Sequence, residues 1–328
     1  MTQEDEIARA EASQEAPKQQ SMILLMIKTL LRDPSILKKL RRMGPDEQRY
    51  IAPPRPYELP EYRKGMKYST SKEPYVRARR WCNPREPLVV ALANELGAYE
   101  VSDREFAEAA YWWMKTNMWF ALTGFDSASA TIRRGSGMCF HFINTYIALC
   151  RCAGIKCRYK GYQMKLSDSL YNVDEAVTSI VPQGGALAEA EAELYIDGTW
   201  VTAYLAQTIA VTAMTGFPIC EFGESSLGLY FQAIPGSIRC YESIPLTLGL
   251  SLTLQSILAP ATMERVNVLL ANAQKLGLQE IENAGGLKEY NIAAKKRREV
   301  LSAEELLNAA ALNYSDKIII KNSPQMSQ

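Results

Sequence analysis

The chain has 328 residues, with 37 Lys and Arg against 36 Asp and Glu, and a single histidine, His141. A net charge of +1 provides no long-range field toward nucleic acid or an anionic membrane, so we predict neither as a partner. One imidazole excludes a multi-histidine metal site, and any ordinary catalytic triad would have to use it. The composition, 47% hydrophobic and 22% charged, is typical of a globular protein.

Cysteine usage and the N-terminal sequence predict a cytoplasmic location. Seven cysteines spread over a long chain are unlike the dense pairing of small secreted domains. The chain opens with acidic residues around Glu4, whereas a signal peptide opens with positive charge. The apolar stretch 22–27 is far shorter than the ~20 residues that span a bilayer. We therefore predict a reduced protein that does not cross a membrane.

The first region, residues 1–70, is predicted to comprise a disordered N-terminus, an amphipathic helix and a Pro-rich linker. Residues 1–20 are rich in Glu, Gln and Ala, which predicts disorder. Residues 21–42 have the apolar spacing of an amphipathic helix. Four prolines within 53–60 predict an extended linker. The basic stretch 77–80 that follows is more simply a solvated surface than a nucleic-acid site.

The second region, residues 71–245, carries the clearest helix signals. Asp103 is expected to cap a helix that continues through Trp113. A Gly-Ser loop, residues 135–137, precedes an apolar helix over 138–153, and Gly154 is placed to end it.

Strand signals follow in the same region. Residues 155–162 and 189–195 alternate apolar and polar side chains, as half-buried strands do. Asp197-Gly198 is typical of a type I′ hairpin turn, with 200–205 as the returning strand. A helix beside antiparallel strands predicts an α+β fold.

The third region, residues 246–328, is predicted to be mainly helical. Residues 246–258 place Leu at every second position, which is the period of a strand, although the long apolar run could equally form a buried helix. From Ala261 onward the spacing is helical, and Ser302 with Glu305 forms a capping box. We therefore expect an α+β core with helical N- and C-terminal extensions.

One set of motifs resembles a known family. It begins at Gly137-Met-Cys139 and continues through Arg151, Gly154-Ile155, Arg158, Gly161-Tyr162 and Glu193-Leu-Tyr195-Ile-Asp197-Gly198-Thr-Trp200. Over roughly residues 100–205 this pattern resembles the transglutaminase-like superfamily, which has a papain-like cysteine fold. The resemblance implies a cysteine-bearing helix packed on an antiparallel sheet, with Cys139 at the reactive position.

The resemblance also implies that the usual partners of the cysteine are replaced. The family keeps a histidine eleven residues before the hairpin Trp and an aspartate four residues after it. Those positions are Glu189 and Tyr204. With a two-residue turn, Tyr204 lies opposite Glu191 and diagonal to Glu189, so that all three share one face.

The replacements change the expected chemistry of Cys139. A helix N-terminus stabilises a thiolate and lowers its pKa, and the small residues at 135–137 let a substrate approach. A nearby Glu189 carboxylate raises the thiol pKa instead, and crowded carboxylates raise one another's pKa until one is held protonated. An ordinary protease or crosslinking activity is therefore not expected. The alternative is that Cys139 is simply a small buried hydrophobe.

Three further residues are assigned to binding: Trp119, Glu191 and His141. Trp119 precedes the Gly loop, where it could line the predicted cleft, although a core position is the favoured interpretation. His141 is two residues past Cys139 and points to nearly the opposite side of a helix, which favours a packed role. Cys139, His141 and the glutamates have donor types suitable for zinc, but no ligand spacing selects it. We predict neither a metal nor another cofactor.

Two functions from different classes remain open. The first is a cysteine-dependent enzyme of acyl transfer or amide bonds that acts on a small molecule or peptide, with biosynthetic roles among those the resemblance implies. Cys139 is then the nucleophile or acid/base, Glu189 the proton acceptor or donor and Tyr204 a hydrogen-bond donor. The second is an inactive binding or scaffold module with the same cleft. A third interpretation gives residues 246–328 a role in binding a partner.

Overall fold

The computed structural model describes residues 50–165, 186–246, 248–250, 253–254 and 260–310. The disorder predicted for the first twenty residues and the helix predicted over 21–42 lie outside these residues.

The described part of the chain contains both helices and strands. The helices are α1 (Pro87–Glu95), α2 (Asp103–Asn117), α3 (Ala128–Arg134), α4 (Cys139–Cys152), α5 (Ile209–Met214), α6 (Pro260–Asn283) and α7 (Leu287–Val300), and residues 303–310 are also helical. The strands are β1 (Trp119–Phe120), β2 (Ser136–Gly137), β3 (Lys156–Lys165), β4 (Ala186–Ile196), β5 (Thr199–Ala203) and β6 (Arg239–Tyr241).

A four-stranded antiparallel sheet forms the β part of the core, with strand order β5-β4-β3-β6. The β4–β5 turn has Asp197 at φ 53° and Gly198 at φ 80°. Both are in the left-handed region that a type I′ turn requires, which confirms the predicted hairpin. The second strand ends at Ala203, so Tyr204 and Leu205 lie just past it.

Helix α4 is the centre of the core. Every residue from Phe140 to Cys152 is buried, and Gly154 follows the helix with φ 90°. The helix meets the sheet where the Tyr159 hydroxyl of β3 donates to Asn144 Oδ1 at 2.7 Å. The predicted apolar helix and the α+β fold class are confirmed.

Helix α2 packs beside α4, and its start differs by one residue from the prediction. The N-cap is Ser102, whose Oγ accepts from Glu105 N at 3.3 Å, while the Glu105 carboxylate accepts from Ser102 N at 3.0 Å. This reciprocal pair is a capping box, so Asp103 occupies the first helical position instead.

Helix α6 joins the C-terminal region to the core. The Gln274 carboxamide accepts from Phe120 N at 2.8 Å and donates to Phe120 O at 2.9 Å. Asn267 does the same for Leu122, at 2.6 and 2.9 Å. Two side chains on one helix thus pair with the backbone at 120 and 122 as a neighbouring strand would. They fix the segment that leads to the Gly loop.

Of the two conformations left open for residues 246–258, the described part of that stretch adopts the helix. Residues 248–250 and 253–254 are helical. The helix packs closely against Phe125 and Trp81 at Gly249, because a Cβ at that position would lie 3.2 Å from atoms of both rings. The capping box at Ser302 and Glu305 is confirmed. The boundaries drawn at residues 70 and 245 stay predictions.

None of the described helices combines the length and the apolar character needed to cross a bilayer.

Candidate active site

A short loop places Cys139 at the first residue of α4. β1 runs parallel to β2, with Trp119 N donating to Gly135 O at 3.0 Å. Gly135 has φ 72° and ends α3, and a Cβ there would overlap the Arg55 side chain. A Cβ on Gly137 would lie 2.7 Å from His141 Cβ. Glycine is therefore required at both positions because side chains of the same chain leave no room for a Cβ. The predicted reason was the close approach of a substrate.

The thiol of Cys139 is held in its neutral form. The residue is only partly exposed, and burial of its sulfur is the largest cause that raises the thiol pKa well above 9. The negative charge of Glu189 and its hydrogen bond with the thiol raise this pKa further. The Phe140 N–H at the start of α4 acts in the opposite direction but is outweighed. The helix N-terminus therefore does not produce a thiolate by itself.

Glu189 is the direct partner of the thiol. It is 6% exposed, and burial raises its carboxyl pKa to about 8. Hydrogen bonds from Ala190 N, 2.9 Å from Oε1, and from the Cys139 thiol stabilise the ionised form, while the charge of Glu191 opposes it. At neutral pH the carboxyl is mostly protonated. Cys139 and Glu189 therefore form a pair that carries no net charge.

Glu191 and Glu193 are in a different situation from Glu189. Glu193 accepts from Arg158 Nε at 2.6 Å, and Lys160 Nζ lies 3.6 Å from oxygens of both carboxylates. No described Lys, Arg or His lies within ion-pair distance of Glu189. The sequence predicted that crowding holds one carboxyl protonated. For Glu189 the largest cause that raises the pKa is burial, and the charge of Glu191 adds to it.

The Glu191 carboxylate also ties a distant loop to the sheet. It accepts from Ser226 N and Ser226 Oγ, both at 2.6 Å, and from Ser225 Oγ at 2.9 Å. The Tyr162 hydroxyl lies 2.7 Å from Ser226 Oγ. Because the Ser226 hydroxyl donates its proton to Glu191, Tyr162 is the donor and Ser226 Oγ the acceptor in this second bond. Tyr162 lies directly opposite Glu189 across β3 and β4.

Sequence reasoning did not assign Tyr162 or Ser226 to the site. A signal for Tyr162 was present, because Gly161-Tyr162 belongs to the motif set and its strand pairs with that of Glu189. Ser226 comes from a loop that no local pattern connects to the sheet.

Tyr204 brings a buried hydroxyl to the same place. It is 0% exposed, and its hydroxyl has no hydrogen-bond partner among the described residues. Burial raises its pKa well above 10, and Glu189 is the charged group that raises it most. Extending the β4–β5 register by one residue sets Tyr204 opposite Glu191. The phenol is thus a neutral donor near Glu189 that has no acceptor in the described part of the chain.

The imidazole of His141 is bonded away from the thiol. Its Nδ1 accepts from Met138 N at 3.3 Å, and its Nε2 donates to Gly124 O at 3.1 Å, with Asp126 Oδ1 at 3.4 Å. Burial raises the pKa of Asp126, but hydrogen bonds from His141 and Arg134 outweigh it and lower the pKa to about 2. No described contact joins His141 to Cys139. Its bonds pin the Gly loop to the segment before α3.

Trp119 lies beside the loop, next to Ser136 in the β1–β2 pair. Its Nε1 is buried and has no hydrogen-bond partner among the described residues. The structure therefore brings together Cys139, Glu189 and Tyr204, with Glu191 adjacent.

The described residues contain no cluster of three or more His, Cys, Asp and Glu side chains arranged to hold a metal ion. None of the seven cysteines forms a disulfide.

Comparison with known proteins relates this core to one family. Residues 90–205, which include Cys139, Glu189 and Tyr204, match the family model of the transglutaminase-like superfamily. The comparison with curated proteins found no match. Among solved structures, the chain is similar to a proposed cysteine protease from Cytophaga hutchinsonii, with 25% identity, a TM-score of 0.30 and 40% of each chain covered. The chain thus spans less than half of that structure. Its α+β core at residues 90–205 is similar to the transglutaminase-like superfamily.

Proposed function

We propose that this protein is a cysteine-dependent enzyme that transfers acyl groups or cleaves or forms amide bonds on a small molecule or peptide. Cys139 is the nucleophile, Glu189 accepts and returns its proton, and Tyr204 donates a hydrogen bond to the substrate. Glu189 and Tyr204 then take the places where the family keeps histidine and aspartate. The observation that supports this proposal is the direct pairing of the Cys139 thiol with a buried carboxyl whose pKa is about 8.

The proposed reaction uses one proton that moves between two groups. As the sulfur attacks the acyl carbon, the Glu189 carboxylate takes the thiol proton. The Glu189 carboxyl then gives that proton to the departing amine, alcohol or thiol, which leaves a thioester on Cys139. Water or an amine attacks this thioester and passes its proton to Glu189, and the released sulfur takes the proton back.

The pKa of Glu189 determines when the reaction can start. With a pKa of about 8, roughly a tenth of the carboxyls are ionised at pH 7 and half at pH 8. Acylation of Cys139 should therefore accelerate between pH 7 and 9. A thiol that is not ionised beforehand attacks esters and thioesters more readily than amides, so activated acyl donors are the first substrates to test.

The test is acetylation of the protein by p-nitrophenyl acetate, followed by intact mass and peptide mapping. We expect acetyl transfer to Cys139, no adduct in Cys139→Ala, and at least about a 100-fold slower reaction in Glu189→Gln. Cys240→Ala is the matched control, because Cys240 is exposed and outside the pair. Acetylation of Cys240 with Cys139 untouched would refute the enzymatic proposal.

A second function is favoured by the raised thiol pKa and by the hydrogen bonds that hold His141 elsewhere. In that case the cleft is an inactive binding or scaffold module. Cys139 would then alkylate no faster than a model thiol at any pH. A Cys139→Ala variant would also keep its ligand affinity. An alkylation rate strongly above the model thiol near pH 8 would exclude this function.

The cellular location and the class of substrate also belong to the proposal. Seven cysteines without a disulfide suit a reducing compartment, which supports a cytoplasmic location. The balanced charge supports a small-molecule or peptide substrate rather than nucleic acid or a membrane surface.

A further inference from the structure

A lysine lies in the protein interior behind the candidate site. Lys115, on α2, is 2% exposed. Its Nζ donates to Gln207 O at 2.9 Å, and no described acidic side chain lies within 4 Å of it. Burying an ammonium group with one neutral acceptor costs stability, and burial lowers the pKa of Lys115 to about 8. At neutral pH the group is still mostly charged.

The ammonium lies over two tyrosine rings. Its Nζ is 5.1 Å from the ring centroid of Tyr204 and 5.6 Å from that of Tyr111. The Tyr111 hydroxyl donates to Tyr204 O at 3.2 Å, so the same helix holds both the backbone and the ring of Tyr204. A cation on the face of a phenol ring attracts its electrons and strengthens its hydroxyl as a donor.

The charges near Tyr204 do not cancel at neutral pH. Glu189, the carboxyl that acts most strongly on the Tyr204 hydroxyl, is mostly protonated there. The Lys115 charge therefore acts on a buried hydroxyl for which the described residues provide no acceptor. A negative charge that develops beside this hydroxyl would be stabilised strongly, because little water screens it.

We infer that Lys115 is a positioning residue that acts through Tyr204, so that the Tyr204 hydroxyl donates to the acyl oxygen of the substrate as negative charge builds on it. This inference rests on the proposed acyl-transfer function. It adds the group that binds the reacting oxygen and the reason why a costly buried lysine is present. Lys115 itself does not touch the substrate.

The test is a double-mutant cycle read by acetylation of Cys139 with p-nitrophenyl acetate. Lys115→Met keeps the length of the side chain and removes the charge, and Tyr204→Phe removes only the hydroxyl. Each should slow acetylation by about 10- to 100-fold. The double variant should be no more than about twofold slower than Tyr204→Phe alone, since Lys115 acts only through that hydroxyl.

Alkylation of Cys139 by iodoacetamide is the second readout, because that reaction builds no charge on a carbonyl oxygen at the site. It should change less than about twofold in both variants, as should acetylation in Lys156→Met, an exposed lysine paired with Glu73 at 3.3 Å. If Lys115→Met does not fold, Lys115→Gln takes its place in the cycle.

Three results would overturn the inference. Single effects that multiply in the double variant would show that Lys115 and Tyr204 act independently. An equal fall in alkylation and acetylation would show a structural role. Acetylation that Lys115→Met leaves unchanged would refute this inference and leave the proposed function intact, whereas a wild-type protein that is never acetylated would refute both.

Discussion

Glu189→Gln should change how the stability of the protein depends on pH. In the folded protein the carboxyl has a pKa of about 8, against an ordinary value of 4.5. Between these values the folded state binds one proton more than the unfolded state, so stability falls as pH rises. Each tenfold change in proton affinity corresponds to about 1.4 kcal/mol, which gives a loss of about 5 kcal/mol between pH 4 and pH 9. Gln at this position cannot ionise and does not lose it.

Urea unfolding followed by circular dichroism, from pH 4 to pH 9, measures this effect. The difference in free energy of unfolding, wild type minus Glu189→Gln, should fall by about 5 kcal/mol across that range. Glu193→Gln is the matched control. Its free energy of unfolding relative to that of Glu189→Gln should still fall across this pH range, because its Glu189 is untouched. A wild-type minus Glu189→Gln difference that stays constant with pH would show that Glu189 is already ionised in the folded protein, and the argument would fail.

Three other variants separate packing from chemistry. Gly277→Ala should destabilise the fold by more than about 3 kcal/mol in urea unfolding, because a Cβ would overlap Ala210 O. His141→Ala should cost about 2–4 kcal/mol and leave the pH midpoint of Cys139 alkylation unchanged, and a shifted midpoint would restore His141 as a base. Tyr204→Phe should keep or raise the melting temperature, because its hydroxyl has no described partner, and should still slow acetylation. A loss of stability there would reveal an acceptor.

The sequence was sufficient for the parts of the fold that local chemistry determines. The hairpin at Asp197-Gly198 needs two residues with positive φ, and few residue pairs other than this one tolerate them. The apolar helix that carries Cys139 could be bounded because Gly154 is the residue that ends it. Both elements depend on neighbours that are close in the chain.

The alternating leucines after Leu246 show where local patterns leave the conformation open. Their period of two is typical of a strand and the long apolar run fits a buried helix equally well, and the described residues form a helix against Trp81 and Phe125. Contacts more than 120 residues away in the chain decided this conformation. Propensity cannot include such contacts.

In the candidate site, too, the sequence predicted what depends on local register and missed what depends on tertiary contacts. Register alone predicted that Glu189 and Glu191 share a face. The raised pKa of Glu189 comes first from its burial, and Lys160 and Ser226 contact Glu191 instead, so this difference depends on tertiary packing. Lys115 has no sequence signal, since 89 residues separate it from Tyr204 along the chain.

The neutral Cys139–Glu189 pair is the central claim, and a thiolate titration tests it most directly. The ultraviolet absorbance of the thiolate is followed against pH in wild type and in Glu189→Gln, each after subtraction of the matching Cys139→Ser protein. We predict a wild-type midpoint well above pH 9, and a midpoint in Glu189→Gln that moves to lower pH because a negative charge and its hydrogen bond are gone. A wild-type thiol that ionises below pH 8, or a midpoint that Glu189→Gln leaves in place, would contradict the account.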